Sequence, residues 1–310
     1  MRARALTLAL AAFLAAPVAS GDTATAQIER TFLERTAIAA ADKACNLFTE
    51  GERLALKSGL YQAEGELLRA NYDPAYMEQL AAEVRAHAKA LGCDHPSILE
   101  VAGTIRSSYR QFTKTNFLEY PAANSTWGAS RSEHDVWAVS QTDKAKSVTL
   151  GFRRENEDTP EAFTLAVAIP WTKQAPSAVQ LYLRDTNKMG DAWVPALFGP
   201  GAKPTPAARS VSRPEWAGRV EEYQDSVGDW YLIYYFAQSA IERLEMLDPR
   251  EAVQVELTPS PLKKDKTPVR INFEVGDVRA ARAFAMIPKP PVSAIAAAAA
   301  STDAPPGGHH

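Results

Sequence analysis

The sequence predicts an α+β fold, in which an N-terminal helical bundle stapled by a disulfide precedes a mostly antiparallel β domain with two short helices. Three observations predict it. The only two cysteines, Cys45 and Cys93, lie on or directly after segments whose apolar residues recur every three or four positions. From Val148 onwards, apolar and polar residues alternate, as in strands with one buried face. Short segments of helical period then return before Leu247 and before Met286.

The first third of the chain shows helical periodicity with recognisable ends. Asp73 is a good N-cap for one helix and Gly92 a good C-cap, because Asp accepts from free backbone N–H groups and Gly adopts the left-handed conformation. The predicted helices are 28–69, broken near Gly51, then Ala75–Leu91, and a third from Asp94–Pro96 that ends before Pro121.

Cys45 and Cys93 are predicted to form a disulfide. Two helices joined by a short connection fold back on each other, which brings their cysteines into the same bundle. The bond would close a loop of about fifty residues and stabilise the fold by about 4 kcal/mol on the chain-entropy account. The alternative is a pair of buried free thiols.

The N-terminus is typical of a secretory signal peptide. Two arginines precede an apolar run, Ala5–Ala16, and small residues follow it, so that cleavage after Ser20 or Ala26 is expected. We therefore assign residues 1–26 to the signal. No cysteine for a lipid anchor lies there, and no apolar run is long enough to span a bilayer. The expected location is periplasmic or secreted, where disulfides persist.

The charge balance argues against a nucleic-acid partner. The chain carries a formal net charge of −3. Loss of residues 1–26 removes two arginines and one aspartate, which leaves −4. Both signs are spread along the sequence, so that no basic footprint forms.

The second part of the chain predicts strands and a long loop. The segment at Trp230 also fits a helix, but its aromatic and β-branched residues favour a buried strand followed by a helix. The predicted strands are 148–152, 163–169, 179–183, 230–236, 252–257 and 269–275, with a weaker one within 134–142 and an irregular loop at 189–218. These patterns divide the chain into a helical domain at 27–120, a β-rich domain at 128–288 and a disordered Ala/Pro tail at 289–310.

Standard catalytic signatures are missing from the sequence. It contains no Gly-x-Ser-x-Gly, His-Glu-x-x-His, Cys-x-x-Cys, P-loop or Gly-x-Gly-x-x-Gly motif. Paired cysteines leave no free thiol, and two of the five histidines lie in the tail. The sequence therefore predicts neither a cofactor nor a metal, and its catalytic residues, if any, are unknown.

One helical face carries the first set of candidate binding residues. The glycines of the segment around residues 51–65 share one arc of a helical wheel with Glu52, Gln62 and Glu66. Glycine inside a helix costs about 0.5–1 kcal/mol relative to alanine, which suggests a need for small residues. Either another helix approaches this face or a ligand does, with Gln62 and Glu66 as polar contacts. The plainer alternative is a solvent-exposed face.

Trp127 and Arg131 are the second set of candidate binding residues. They lie where the helical period ends and the strand period begins, and clefts between domains are favoured ligand sites. The alternative is that Trp127 belongs to the apolar core at the hinge between the domains, and that Arg131 lies at the solvent-exposed edge of that core.

The sequence thus favours a non-enzymatic binding or envelope-associated module, with an unknown protein or small ligand of the cell envelope as its partner. The alternative is a hydrolase that acts on an envelope polymer through carboxylates such as Glu52 or Glu66. Such an enzyme needs two carboxylates about 5–9.5 Å apart in one cleft.

Overall fold

The computed structural model describes residues 21–154, 163–194, 201 and 203–288. Most of the predicted signal peptide and the whole predicted tail, 289–310, lie outside the described residues, and both stay predictions. Residues 21–26 belong to the first helix. In the described part of the chain, no helix is both long and apolar enough to cross a membrane.

Four helices form the N-terminal part of the described chain: α1 (Gly21–Cys45), α2 (Glu50–Arg69), α3 (Pro74–Leu91) and α4 (Pro96–Phe112). The predicted break in the first segment exists but lies before Gly51, at Asn46, whose φ is 52°. Thr49 then begins α2 with a capping box, because its side chain accepts from the backbone of Glu52 and the Glu52 side chain accepts in return. The predicted cap at Asp73 is confirmed, since its side chain accepts from Ala75 N.

The predicted disulfide is confirmed. Cys45 and Cys93 are bonded, with their Cα atoms 5.5 Å apart. Cys45 ends α1, and Cys93 follows the end of α3 by two residues. The bond therefore joins the carboxyl ends of two helices that pack side by side and run in the same direction.

The strands form two antiparallel sheets. The strands are β1 (Phe117–Pro121), β2 (Thr126–Ser130), β3 (Trp137–Asp143), β4 (Val148–Arg154), β5 (Phe163–Pro170), β6 (Ala178–Arg184), β7 (Ser212–Trp216), β8 (Arg219–Gln224), β9 (Trp230–Tyr235), β10 (Ala252–Thr258) and β11 (Val269–Glu274). The large sheet has the order β1-β2-β3-β4-β5-β9-β8 and the small sheet β11-β10-β6-β7. Helix α5 (Gln238–Glu245) follows β9, and α6 (Val278–Ala285) follows β11. The predicted fold class is confirmed.

The main core lies between the two sheets and the helices that pack on them. The large sheet contributes Leu150 and Val167, the small sheet Leu181 and Val255, and α6 contributes Phe284. All five residues are fully buried. These positions alternate with polar or small residues along their strands, which is why the period-two pattern was visible in the sequence.

The division into two domains at 27–120 and 128–288 stays a prediction. The apolar core extends across the predicted domain boundary, because Leu54 of α2 belongs to the same cluster as the sheet residues. The Ser58 hydroxyl of α2 also forms a buried hydrogen bond of 2.8 Å with the hydroxyl of Tyr120 in β1.

The predicted irregular loop at 189–218 is wrong in its last part. Strand β7 lies there and pairs with β6, with Pro214 opposite Tyr182. Because β7 is an edge strand of the small sheet, a proline that lacks an N–H is tolerated in it.

Candidate functional site

The glycines of α2 are explained by side chains that approach them closely. A Cβ built on Gly51 would lie 2.5 Å from the Tyr109 hydroxyl, and one on Gly59 would lie 2.8 Å from the Arg35 guanidinium. A Cβ on Gly65 would overlap a carboxylate oxygen of Asp277. The structure thus shows side chains from α4, α1 and the start of α6 close to these glycines, and the approach of a ligand to this face stays a prediction.

The predicted polar contacts on α2 lie in different surroundings. Glu52 accepts from Thr49 N at 2.8 Å in the capping box and lies 3.8 Å from Arg106 Nε. Gln62 is half-buried and Glu66 is exposed. Their role in ligand binding stays a prediction.

Trp127 and Arg131 are both buried at the junction of the helices and sheets. The Trp127 indole N–H donates to the carbonyls of Glu274 and Val275 at 3.0 and 2.9 Å. Arg131 donates to four carbonyls, those of Phe112, Thr115, Ile287 and Pro288, at 2.8 to 3.1 Å. These contacts tie α4, β2 and the end of α6 together, and a ligand role for either residue stays a prediction.

The five predicted binding residues do not share one site. Glu66 is exposed, whereas Trp127 retains no exposed surface. Helix α6 packs against α2 and also against β1, β2 and β3. None of the five lines either of the cavities described next.

A trough of about 890 Å³ runs along the helical bundle. Helices α2 and α3 both pack against α1, and the trough is lined by one face of each of the three helices, with Arg279 of α6. The lining residues are Phe32, Thr36, Ala39, Ala40, Lys43 and Ala44 from α1, Leu60, Tyr61 and Glu64 from α2, and Glu78, Arg85, Ala86 and Lys89 from α3. The α1 residues lie three or four positions apart, so that they form one stripe about 18 Å long.

A second cavity of about 370 Å³ adjoins the trough beside Phe32, in the middle of α1, and the first turns of α3. Phe32, Glu64, Glu78 and Arg279 line both cavities. The second cavity is otherwise lined by Leu68, Pro74 and Met77 of the helical part and by Arg184, Gly190, Asp191, Ala192, Met246, Leu247, Asp248 and Pro249 of the sheet part. It therefore carries the trough to the boundary between helices and sheets.

Glu64 stands where the two cavities meet. Its carboxylate lies 3.5 Å from Arg279 Nη1, and the Arg279 guanidinium lies over the Tyr61 ring at 3.9 Å from the ring centroid. Burial raises the pKa of Glu64, the positive charge of Arg279 lowers it, and Asp248 raises it further; the net direction is upward. Glu64 is thus a carboxyl group held in a cleft with a raised pKa.

Glu78 faces the same space from α3 in a different electrostatic setting. Arg85 Nη1 and Nη2 donate to its two oxygens at 2.8 and 3.2 Å. These hydrogen bonds lower the pKa of Glu78. The two carboxylates of the trough are therefore shifted in opposite directions.

Lys43 and Lys89 mark the other end of the trough, in the last turns of α1 and α3 beside the disulfide. Both are exposed. Neither has a hydrogen-bond or ion-pair partner among the described residues. The trough thus holds four basic side chains against two acidic ones, and the excess positive charge lies at its disulfide end.

Sequence reasoning missed this trough. The signal that could have found it is the stripe Thr36, Ala39, Ala40 and Ala44, where α1 carries small residues on a face that ends with a lysine. A large residue at these positions would have filled the space between α2 and α3.

Comparison of the chain with protein-family models, with curated proteins and with solved structures finds no match. In the part of the chain that the structure describes, no group of three or more His, Cys, Asp or Glu side chains is placed to hold a metal ion. The expectations of no metal and no cofactor stay predictions.

Proposed function

We propose that the protein is a non-enzymatic binding module that takes an elongated small ligand in the trough between α1, α2 and α3. The observation that carries the proposal is the trough itself, about 890 Å³ in volume and lined mainly by apolar and small side chains. Ligand sites in proteins are typically clefts of about 300–1,000 Å³ with apolar walls and a few polar groups. The trough has this size, and its exposed lining is mostly apolar, although six of its fourteen lining residues are charged.

The side chains of the trough support binding better than chemistry. Glu64 pairs with Arg279, and Glu78 pairs with Arg85, so that each carboxylate already has a cationic partner. A binding site tolerates such paired charges at its rim, whereas a nucleophile or base must be free to react.

The disulfide supports a site of action in an oxidising compartment, outside the cytoplasm. Structural disulfides persist there, while cytosolic thiols are kept reduced. The signal-like sequence before Gly21 agrees with this proposal.

The experiment is a fragment screen by NMR with alanine methyl groups labelled, because Ala39, Ala40, Ala44 and Ala86 all line the trough. We expect that fragments which bind will shift these methyl signals at lower fragment concentration than the other alanine methyl signals. The variant Ala40→Trp fills the trough and should abolish the shifts. The matched control is Ala82→Trp, since Ala82 is an exposed residue of α3 that lines neither cavity.

Two results contradict the proposal. One is a screen in which no fragment shifts the alanine methyl signals of the trough more than the alanine methyl signals elsewhere in the protein. The other is binding that survives Ala40→Trp in a variant that melts like the wild type.

A second candidate function is hydrolysis, and a different observation favours it. Glu64 and Glu78 line both cavities, and their pKa values are shifted in opposite directions. Carboxylates whose surroundings separate their pKa values are the usual acid and base of glycoside hydrolysis. In this candidate Glu64 would donate a proton to the leaving oxygen, and Glu78 would have to leave its pair with Arg85 to take a proton from the attacking water.

Glu64→Gln tests the hydrolase candidate against Glu83→Gln, which changes an exposed carboxylate of α3 outside both cavities. The assay is release of reducing ends from isolated envelope polysaccharide. Hydrolysis that Glu64→Gln abolishes and Glu83→Gln retains would support the hydrolase. An absence of release by the wild-type protein would contradict it.

A further inference from the structure

We propose that the ligand of the trough is a single-chain amphiphile with an anionic head group, whose head lies between Lys43 and Lys89 and whose alkyl chain lies along α1. This inference rests on the proposed binding function and adds the chemical class and the orientation of the ligand. It is carried by the order in which charged and apolar side chains follow one another along the trough.

The disulfide end of the trough is a place for one anionic group. Lys43 and Lys89 project from the last turns of two helices whose carboxyl ends the disulfide joins, and neither has a partner among the described residues. A basic residue in the last turn of a helix interacts favourably with the helix dipole. The helix dipole would explain a lysine in the last turn of each helix, but it would not explain why both lysines line the same cavity. Recognition of an anion in that cavity explains both observations.

The middle of the trough suits an alkyl chain. Ala39, Ala40 and Ala86 lie there with Leu60, and their small side chains leave the space open. Thr36 and Tyr61 are the polar but uncharged side chains that line the trough. A sugar or a peptide would bury many polar groups against these walls, and each group without a partner would cost free energy.

The far end of the trough fixes the orientation. Glu64 and Glu78 line it with Arg279, and the adjoining cavity adds Asp191 and Asp248 against one further base, Arg184, so that four acidic side chains face two basic ones. An anionic head would meet like charges there and lose affinity. An amphiphile therefore binds with its head at the disulfide end and its chain towards α6.

The experiment is calorimetric titration of the full chain with decanoate, decanol and decyltrimethylammonium, which share one chain length and differ in head-group charge. We expect decanoate to bind most tightly, with an affinity that falls as salt is added, because the lysine end is exposed to solvent. The double variant Lys43→Gln/Lys89→Gln should weaken decanoate about tenfold and leave decanol unchanged.

Lys57→Gln is the matched control, because Lys57 is an exposed lysine of α2 that lines neither cavity. Circular dichroism melting checks that all variants fold. Loss of decanoate binding in Lys57→Gln as large as in the double variant would overturn the head-group position.

The outcomes separate this inference from the proposed function. Equal binding of all three amphiphiles, all blocked by Ala40→Trp, would overturn the anionic head and retain the binding trough. Preference for decyltrimethylammonium would overturn the orientation. If no amphiphile binds while fragments still shift the trough methyls, the ligand class is wrong but the binding function stands. If neither amphiphiles nor fragments bind, both proposals fail.

Discussion

Asp277 shows what a single buried charge does at the contact between helices and sheets. Its side chain has no exposed surface, and Arg69 Nη1 and Nη2 donate to its two oxygens at 2.5 and 2.8 Å. Burial raises its pKa to about 6, although Arg69 lowers it; the charges of Glu66 and Glu64 raise it further. The pair therefore links α2 to the start of α6 at an electrostatic cost.

The first prediction concerns the pH dependence of stability at this pair. The pKa of Asp277 is about 6 in the folded protein against a model-peptide value of 3.8. Because it is raised on folding, the stabilisation from protonation is fully present below pH 3.8 and is lost as the pH rises through about 6. Asp277→Asn cannot titrate. We expect the unfolding free energy of the wild type, relative to this variant, to rise by about 2–3 kcal/mol on going from about pH 7.5 to about pH 4.

Urea unfolding of both proteins across this pH range measures the difference. Equal pH profiles for the two proteins would show that Asp277 titrates alike in the folded and unfolded chains. That result would contradict a buried charge at this position.

The second prediction compares two glycines inside helices. Gly65→Ala places a methyl group against the Asp277 carboxylate, which Arg69 holds in place, so that we expect a loss of about 1–3 kcal/mol. Gly103→Ala in α4 meets nothing within 4 Å. It should therefore stabilise the protein by about 0.5–1 kcal/mol through helix propensity alone. Denaturant unfolding measures both, and a Gly65→Ala protein as stable as Gly103→Ala would refute the close approach.

At the scale of elements, the disulfide joins α1 and α3, two of the three helices that line the trough. Cys45 and Cys93 are 48 positions apart, which corresponds to about 4 kcal/mol of chain entropy in the unfolded state. The third prediction is that Cys45→Ser/Cys93→Ser loses about that much unfolding free energy. The measurement is urea unfolding of the double variant beside the wild type with and without reductant. A reductant effect on the double variant would show that the loss does not come from the bond.

Helices were predicted well because their signals are local. Capping residues such as Asp73 and the recurrence of apolar residues within α3 and α4 lie within a few positions of the structure they specify. Strands β4, β5, β6, β10 and β11 were found for a similar reason, since each carries a regular alternation towards one core.

The strands that sequence reasoning missed, β1, β2, β7 and β8, include three at the edges of the sheets. Strand β8 exposes most of its side chains, and β7 contains Pro214. Edge strands often carry charged residues and proline, because these discourage pairing with other chains. Their sequences thus resemble loops, and only the neighbouring strand identifies them.

The candidate site was harder to predict than the fold. The sequence suggested a need for small residues at the three glycines of α2 and left a helix, a ligand or solvent as the neighbour, but it did not say that the side chains of Tyr109, Arg35 and Asp277 approach them. The trough depends on which faces of α1, α2 and α3 meet, and that depends on packing over distances that periodicity does not encode.

At the scale of the molecule, α2 belongs in part to the core of the sheets, and the helical part has two further apolar clusters of its own. Leu54 and Ala55 of α2 pack in the cluster that both sheets form, and Ser58 donates to the Ala280 carbonyl at 3.0 Å. The fourth prediction is therefore a single cooperative unfolding transition for the whole described chain in calorimetry.

Two core variants test this cooperativity. Leu67→Ala removes a fully buried side chain from the helical part, and Leu181→Ala does so in the small sheet. Each should lower the melting temperature of the same transition, because a buried leucine contributes about 2–5 kcal/mol wherever it lies in one cooperative unit. Two transitions, each responding to one variant only, would mean that the halves fold independently.

The disulfide also has a mechanical consequence for the trough. It fixes α1 and α3 to each other at their carboxyl ends, whereas near the start of α3 the two helices are held by noncovalent packing, in a cluster that includes Phe32 from the middle of α1 with Met77 and Ala81. The two helices are therefore joined covalently at one end and by noncovalent contacts alone at the other. We therefore expect the distance between α1 and α3 to vary more beside the second cavity than at the disulfide, so that the trough widens from that end.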